Sequence, residues 1–235
     1  MMISIIIPTY NEAGNIKKIV KRIYNSIKKY DYEIIIADDN SPDNTAKIAE
    51  RLPKKYNINV LLRKKDKGLS KAVVDGFNTA KGDILGVMDA DLSHPPEKLP
   101  QILNKIKKAD VVIGSRLGEY KKIKNWPWYR KIISKIATFQ VKLLTEIKDP
   151  MSGFFFMKKE VIKNIKLKPK GYKILLEILV KGNYNKIIEI PITFQDRVEG
   201  KSKLTTKVYL EYIRQIFELY LYKIKRFLTN KYLNS

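Results

Sequence analysis

Residues 84–97 read ILGVMDADLSHPPE. An apolar run, Ile84 to Met88, ends in Asp89-Ala90-Asp91, and Ser93, His94 and two prolines follow at once. A short apolar run bounded by turn residues suits a strand buried on both faces. The same pattern occurs twice upstream. Ile3 to Ile7 is a run that Pro8 is expected to stop, with Thr9-Tyr10-Asn11-Glu12 after it. Glu33 to Ala37 is another, ending in Asp38-Asp39 and the turn residues Asn40-Ser41-Pro42-Asp43. Between them, Ile16, Ile19, Val20, Ile23 and Ile27 share one face of a helix over 15–29, with lysines on the outer face. Further strands are expected at 58–62 and 110–114, and further helices at 45–52, 68–79 and 97–107. Strands alternating with helices, each strand nearly continuous in apolar residues, indicate an α/β domain with a parallel sheet over roughly 1–115.

Composition narrows the setting. The chain has 235 residues with Lys+Arg 47 against Asp+Glu 24, a net charge of +23. A hydrophobic content of 44% is enough for a core, so this is not a disordered basic tail. Such an excess of positive charge points to polyanionic surroundings: nucleic acid, an anionic membrane surface or phosphorylated substrates. Without cysteine there is no disulfide framework, thiolate metal site or thiol nucleophile. The N-terminus runs straight into the first strand, with no basic leader or cleavage site, so no signal peptide is expected. No charge-free window is long enough to span a bilayer.

Past residue 115 the character changes. Trp126-Pro127-Trp128 precedes a helix expected over 129–145, and Asp149-Pro150-Met151-Ser152-Gly153-Phe154 breaks it. Strands are expected at 154–157 and 187–194 and a helix at 171–181. A long helix pattern runs from Thr205 to Phe227. Its polar residues Lys207, Glu211, Arg214, Glu218 and Lys225 form a narrow stripe on an otherwise apolar, tyrosine-rich surface. This divides the chain into one domain over 1–204, with halves 1–115 and 116–204, and a C-terminal amphipathic helix over 205–235. That helix suits an anionic membrane surface, a small membrane-embedded partner subunit, a second copy of the chain, or packing on the sheet.

In open parallel sheets, ligands bind where the loops leave the carboxyl ends of the strands. Three such ends here are acidic. Unpaired carboxylates at close range repel, so something cationic should hold them, and Mg²⁺ or Mn²⁺ shared with substrate phosphates is the economical choice. Asp89 capping a helix and Asp91 solvated is the competing reading. Glycine-rich phosphate loops are missing, so a bound diphosphate would rely on a metal and on basic side chains. Arg116, Arg130, Lys173, Arg197 and Lys203 are candidates among many surface lysines and arginines. His94, beside Pro95-Pro96, reads as a turn residue rather than a general base.

The motifs in order resemble glycosyltransferase family 2. They are Pro8-Thr9-Tyr10-Asn11-Glu12, Asp38 to Asp43, Lys67-Gly68-Leu69-Ser70-Lys71-Ala72 and Asp89 to Glu97. Gly114-Ser115-Arg116, Trp126 to Arg130, Asp149 to Phe154, Gly171 to Glu177 and Arg197-x-x-Gly200-Lys201-Ser202-Lys203-Leu204 resemble its dolichol-phosphate mannosyltransferase branch. The resemblance spans about residues 1–207. It implies a GT-A type, Rossmann-like, mostly parallel sheet flanked by helices, with the C-terminal amphipathic helical extension. It also implies that Pro8, Tyr10, Glu12, Ala37 and Asp39 line the nucleotide pocket. Asp89, Ala90 and Asp91 would meet the diphosphate, with Asp89, Asp91 and Ser93 at the Mg²⁺ or Mn²⁺. Arg116, Lys173, Arg197 and Lys203 would neutralise donor phosphates, and Arg116, Arg130 and Ser134 the acceptor phosphate. The catalytic set is then Asp89, Asp91, Arg116 and Arg197. Two departures stand out: Asn44 replaces the glycine usual after Ser-Pro-Asp, and the lysine-rich Leu117 to Lys124 replaces a glycine-rich loop.

The implied reaction moves mannose from GDP-mannose to dolichyl or another polyprenyl phosphate, with inversion, at the cytoplasmic face of a membrane. A phosphate oxygen is anionic at neutral pH, so no general base is required. UDP-glucose or another nucleotide sugar as donor is the alternative within the fold. A basic nucleic-acid-binding protein is the alternative outside it. The spread of the basic residues and the lack of a nucleic-acid motif speak against that, so no nucleic acid is expected among the partners.

Overall fold

The structure, a computed structural model, describes residues 1–116, 141, 143–169, 173–193 and 206–233, with side chains of the last segment over 211–229. The first half alternates as expected: β1 (Ile3–Thr9), α1 (Ala13–Ile27), β2 (Tyr32–Asp38), α2 (Thr45–Glu50), β3 (Ile58–Leu62), α3 (Leu69–Thr79), β4 (Ile84–Val87), α4 (Leu99–Ile106) and β5 (Val111–Ser115). After it come β6 (Phe155–Lys158), α5 (Ile174–Lys181), β7 (Ile187–Pro191) and α6 (Thr206–Leu233). One seven-stranded sheet runs β3-β2-β1-β4-β6-β5-β7. β1 pairs parallel with β2 and β4, β2 with β3, and β5 with β7. Residues beyond 116 therefore complete the same sheet.

Alternation along the strands sorts the core into two layers. Ile3, Ile5 and Ile7 of β1 face α1 and α4, with Ile34 and Ile36 of β2 beside them. Ile6, Ile35, Leu85 and Val87 face the other way, against Val73 and Phe77 of α3 and Leu175 and Ile178 of α5. All five isoleucine and valine positions read onto the inner face of α1 are buried.

One expectation is corrected. The first strand does not stop at Pro8 but runs through it to Thr9. Met88 N–H donates to Ile6 O, so the even-numbered residues of β1 turn their amides toward β4, whose pairing ends at Val87 opposite Ile6. The N–H that Pro8 lacks falls where that ladder has already ended. The sheet is mostly parallel, as expected, with β6 inserted antiparallel between β4 and β5. This insertion carries Asp149 to Phe154 back to the carboxyl ends of β4 and β5. The strand expected over 187–194 ends at Pro191, and the last helix reaches Leu233. Of the helix expected over 129–145, residues 129–140 and 142 lie outside the described residues, as do Leu117 to Lys124 and Trp126 to Trp128.

Candidate active site

β2, β1 and β4 are adjacent and parallel, so their acidic ends share one edge of the sheet. The carboxylates there are held in different ways. Asp38 is fully buried; it accepts from Thr9 Oγ1 at 2.8 Å, Ser41 Oγ at 2.6 Å and Ser41 N at 2.8 Å. Asn11 N in turn donates to Ser41 Oγ at 3.0 Å, so Asp38 ties the β1 loop to the β2 loop. Asp43 accepts from Ala13 N and from Thr45 N, both at 3.0 Å. Burial would raise its pKa, but the Thr45 hydroxyl and these amides outweigh burial and hold it below the ordinary value. Asp39 is paired with the guanidinium of Arg63 and accepts from Gly68 N at 2.7 Å.

One cation does not serve all these carboxylates. The sequence led us to expect something cationic among the clustered carboxylates; at the end of β2 an arginine twenty-four residues downstream of Asp39, shared with Asp75, supplies positive charge. At the β4 corner two carboxylates stand on either side of Ala90. Asp91 is buried and accepts from Ser93 Oγ at 2.6 Å and Ser93 N at 3.1 Å. The Asp89 side chain is 30% exposed.

His94 is buried, and its Nδ1 accepts from the Asp89 backbone N–H at 3.0 Å. Its proton therefore sits on Nε2, which lies 3.8 Å from Asp89 Oδ2. Burial lowers the His94 pKa against the pull of the Asp89 and Asp91 charges, and the ring stacks on Phe154 at 5.2 Å. Through its Nδ1 bond to the Asp89 amide, this histidine braces the turn that leaves β4.

The loop before β6 closes the site. Asp149 accepts from Arg116 N at 3.0 Å, Nε at 2.8 Å and Nη2 at 2.6 Å. Ser152 Oγ donates to Gly114 O at 2.7 Å. Lys173 Nζ donates to Met151 O at 3.1 Å, and its charge helps lower the Asp149 pKa.

Of the residues singled out from the sequence, Tyr10, Glu12, Asp39, Asp89, Asp91, Ser93 and Arg116 come together at this edge. Tyr10 is partly exposed, with Lys67 Nζ 5.7 Å from its ring centre. Glu12 accepts from Asn15 Nδ2 at 2.9 Å. The side chains of Ala37 and Ala90 are buried in the core, so only their backbones can meet a ligand. Arg130, Ser134, Arg197 and Lys203 lie outside the described residues. Sequence reading missed the partnering of Arg63 with Asp39 and of Asp149 with Arg116, and the bond from the Asp89 amide to His94. The first two join residues far apart in sequence, so no local spacing signals them; the third lies within one turn, where His94 was read only as a turn residue.

The donor chemistry suits a hard divalent cation. Asp89 and Asp91 offer only oxygen, and among the described residues no cluster of three or more His, Cys, Asp or Glu side chains forms a complete metal cage. Two carboxylates with the remaining positions left to water and phosphate match how Mg²⁺-type ions are held with nucleotide substrates.

A model of glycosyl transferase family 2 matches residues 4–166. The chain belongs to glycosyl transferase family 2. This family 2 chain is 48% identical over 224 residues to dolichol-phosphate mannosyltransferase from Pyrococcus furiosus, covering 93% of the chain and 64% of that protein. It thus spans just under two thirds of that relative's length. It is 39% identical over 235 residues to the Saccharomyces cerevisiae protein of the same name, covering 94% of the chain and 87% of the relative. The Mycosarcoma maydis protein of that name is 38% identical over 233 residues, with 94% and 79% covered. Among solved structures, glucosyl-3-phosphoglycerate synthase from Mycobacterium tuberculosis, crystallised with Mn²⁺, UDP-glucose and phosphoglyceric acid, aligns with a TM-score of 0.70. At 17% identity over 94% of this chain and 79% of that one, the likeness establishes the shared fold.

Proposed function

We propose that this family 2 chain transfers mannose from GDP-mannose to dolichyl or another polyprenyl phosphate, inverting the anomeric centre. Its relatives at 38–48% identity carry the name dolichol-phosphate mannosyltransferase, which supports the acceptor and the sugar. The observation that carries the chemistry is the β4 corner. Two carboxylates stand there, Asp91 bonded to Ser93 and Asp89 on a backbone held by His94, at the carboxyl edge of the sheet.

Asp89 and Asp91 would hold Mg²⁺ or Mn²⁺ together with the donor diphosphate. When bound, the ion supplies Lewis-acid stabilisation of the leaving nucleoside diphosphate. Ser93 holds the Asp91 carboxylate and His94 the Asp89 backbone before substrate arrives, which reduces the reorganisation left for the reaction. Pro8, Tyr10, Glu12 and Asp39 would bind the nucleoside end. Arg116 would face the donor and acceptor phosphates from a guanidinium oriented by Asp149, with Lys173 adding charge beside it. Arg130, Ser134, Arg197 and Lys203 are carried in this scheme by the resemblance alone. The acceptor phosphate is already a nucleophile at neutral pH, so His94 can remain neutral and structural. Attack opposite the leaving diphosphate turns an α-linked donor into a β-linked product. We place the chain peripherally on an anionic membrane surface at its cytoplasmic face, over the C-terminal helix.

The test is transfer of radiolabelled sugar from GDP-mannose, UDP-glucose or UDP-N-acetylglucosamine to dolichyl phosphate, with Mn²⁺ or Mg²⁺. Lipid-extractable label from GDP-mannose, abolished by chelator and by Asp91→Ala, is the expected result. Label from a uridine donor instead would overturn the sugar and keep the mechanism. Label that survives Asp91→Ala undiminished would remove the β4 corner from the chemistry.

A further inference from the structure

Arg63 follows the last residue of β3 and is only 5% exposed. A buried guanidinium at the edge of a sheet needs partners for its whole fork, and here every arm has one. Nε donates to Asp75 Oδ2 on α3 at 2.7 Å. Nη1 bonds Asp39 Oδ1 at the end of β2. Nη2 donates to Asp66 O at 2.7 Å. The Arg63 backbone N–H adds a bond to Asp38 O at 2.7 Å. Gly68 N donates to the other oxygen of Asp39, also at 2.7 Å.

These bonds form a closed ring through Arg63, Asp39, Gly68 and Asp66. Lys67 lies inside that ring in sequence, and its ammonium sits over the Tyr10 ring. Arg63 thus controls two groups of the nucleoside end together: the Asp39 carboxylate directly and Tyr10 through Lys67. Shared between Asp39 and Asp75, its charge also offsets part of the repulsion between the Asp39 carboxylate and an incoming nucleotide. A carboxylate has about four acceptor sites, and the scaffold uses one on each oxygen. Sites remain for hydroxyl or N–H donors of a nucleoside.

We infer that Arg63 is a positioning residue that sets donor-nucleoside affinity through Asp39 and the 64–68 loop without touching the ligand. The inference rests on the nucleotide-sugar reading of this edge. Lysine can replace the charge but not the fork, so the ring should open in Arg63→Lys while the pair with Asp39 partly survives.

The experiment titrates the full chain, in the presence of Mn²⁺, with GDP and with UDP by calorimetry, and follows whichever binds more tightly. Wild type is compared with Asp39→Asn, Arg63→Lys and Arg63→Met, alongside donor KM and kcat for each. The expected result is a Kd and KM raised about tenfold or more in Arg63→Met and less in Arg63→Lys, an energy near that of one charged hydrogen bond. Turnover at saturating donor should stay within about threefold, because the reacting end is held elsewhere. Weaker binding in Asp39→Asn with wild-type Kd in both Arg63 variants would overturn the inference and leave the nucleotide reading intact. No binding of either nucleotide by wild type, or no change in Asp39→Asn, would overturn the reading of this edge and the inference with it. An Arg63→Lys variant that loses kcat at unchanged Kd would also overturn it, since that pattern marks a general structural role. If Arg63→Met does not fold, Arg63→Lys carries the comparison.

Discussion

At Gly153 the absence of a side chain is a requirement of the site. A Cβ there would stand 3.0 Å from Asp89 Oδ2, 3.3 Å from Asp89 Oδ1 and 3.2 Å from His94 Cε1. His94 is clamped by Phe154 and by the Asp89 amide, so it cannot give way. Asp89, the more exposed of the two, must move. A shift of a few tenths of an ångström relieves these contacts, a fraction of the misplacement of about 1 Å that can cost roughly a hundredfold in rate. Gly153→Ala is therefore expected to lower transfer at saturating donor a few fold and to raise the Mn²⁺ concentration for half-activation, while the thermal midpoint changes little. An unchanged metal titration would mean that Asp89 does not hold the ion. Asp149 gives a second test at this scale. Burial alone would raise its pKa, but the Arg116 bonds and charge prevail and the folded value lies below the ordinary one. A depressed carboxylate stabilises the fold above its unfolded pKa, roughly 3.9, and that stability is lost as pH falls through the lower folded value. Wild type should lose stability on acidification below about pH 4. Asp149→Asn should start less stable at pH 7 and show a flatter acid limb in urea denaturation. The carboxylate pair of the β4 corner was legible from Asp-Ala-Asp at a strand end. The partners Arg116–Asp149 and Arg63–Asp39 were not, since a charge among 47 basic residues carries no address until the sheet brings it home.

Glu33 shows what the strands do at their other end. It opens the apolar run of β2, yet it is 1% exposed. Oε1 accepts from Ser4 Oγ at 2.6 Å and from Lys81 N at 2.8 Å, and Oε2 accepts from Asn59 Nδ2 at 2.8 Å. Gly82 N donates to Ser4 Oγ at 2.8 Å, so one carboxylate links β1, β2, β3 and the turn into β4. Removing it strands several buried donors, each costing about 1–3 kcal/mol. Glu33→Ala should lose about 2–4 kcal/mol in urea denaturation, and the surviving folded protein should keep wild-type donor KM. A raised KM in folded Glu33→Ala would mean the two ends of the sheet are coupled. Element by element, the hydrophobic runs and the helical spacing of the first half were readable because each is a local pattern. The reversal of β6 was not. An apolar run such as Phe154 to Met157 looks the same whichever way it enters a sheet, and direction is decided by where the chain has gone since Ser115.

The whole molecule sets an acidic corner in a chain of net charge +23. Such a charge balance suits the anionic substrates and anionic surface proposed above. α6 decides how the surface is met. Tyr212, Ile216 and Leu219 pack against Val141, Leu144 and Leu176. Ile213, Phe217, Leu221 and Ile224 are each more than half exposed and line up on the side away from that contact. A helix apolar on two sides needs a second apolar neighbour. No helix among the described residues is long and apolar enough to cross a membrane. The membrane placement proposed above would use the second face of α6 lying in the interface. Lys225 and Arg226, beside the stripe, would add about 1 kcal/mol each at an anionic bilayer. Leu221→Glu with Ile224→Glu should abolish co-sedimentation with phosphatidylglycerol vesicles and cut transfer to vesicle-borne polyprenyl phosphate about tenfold or more. Transfer to a short, water-soluble isoprenyl phosphate should be unaffected, because neither residue is near the β4 corner. Wild-type vesicle binding should also weaken as salt rises above about 0.1 M, where the Debye length drops below 10 Å. If vesicle binding survives the double substitution while a wild-type dimer becomes a monomer, the stripe joins two copies of the chain, and the membrane is met through the basic surface alone.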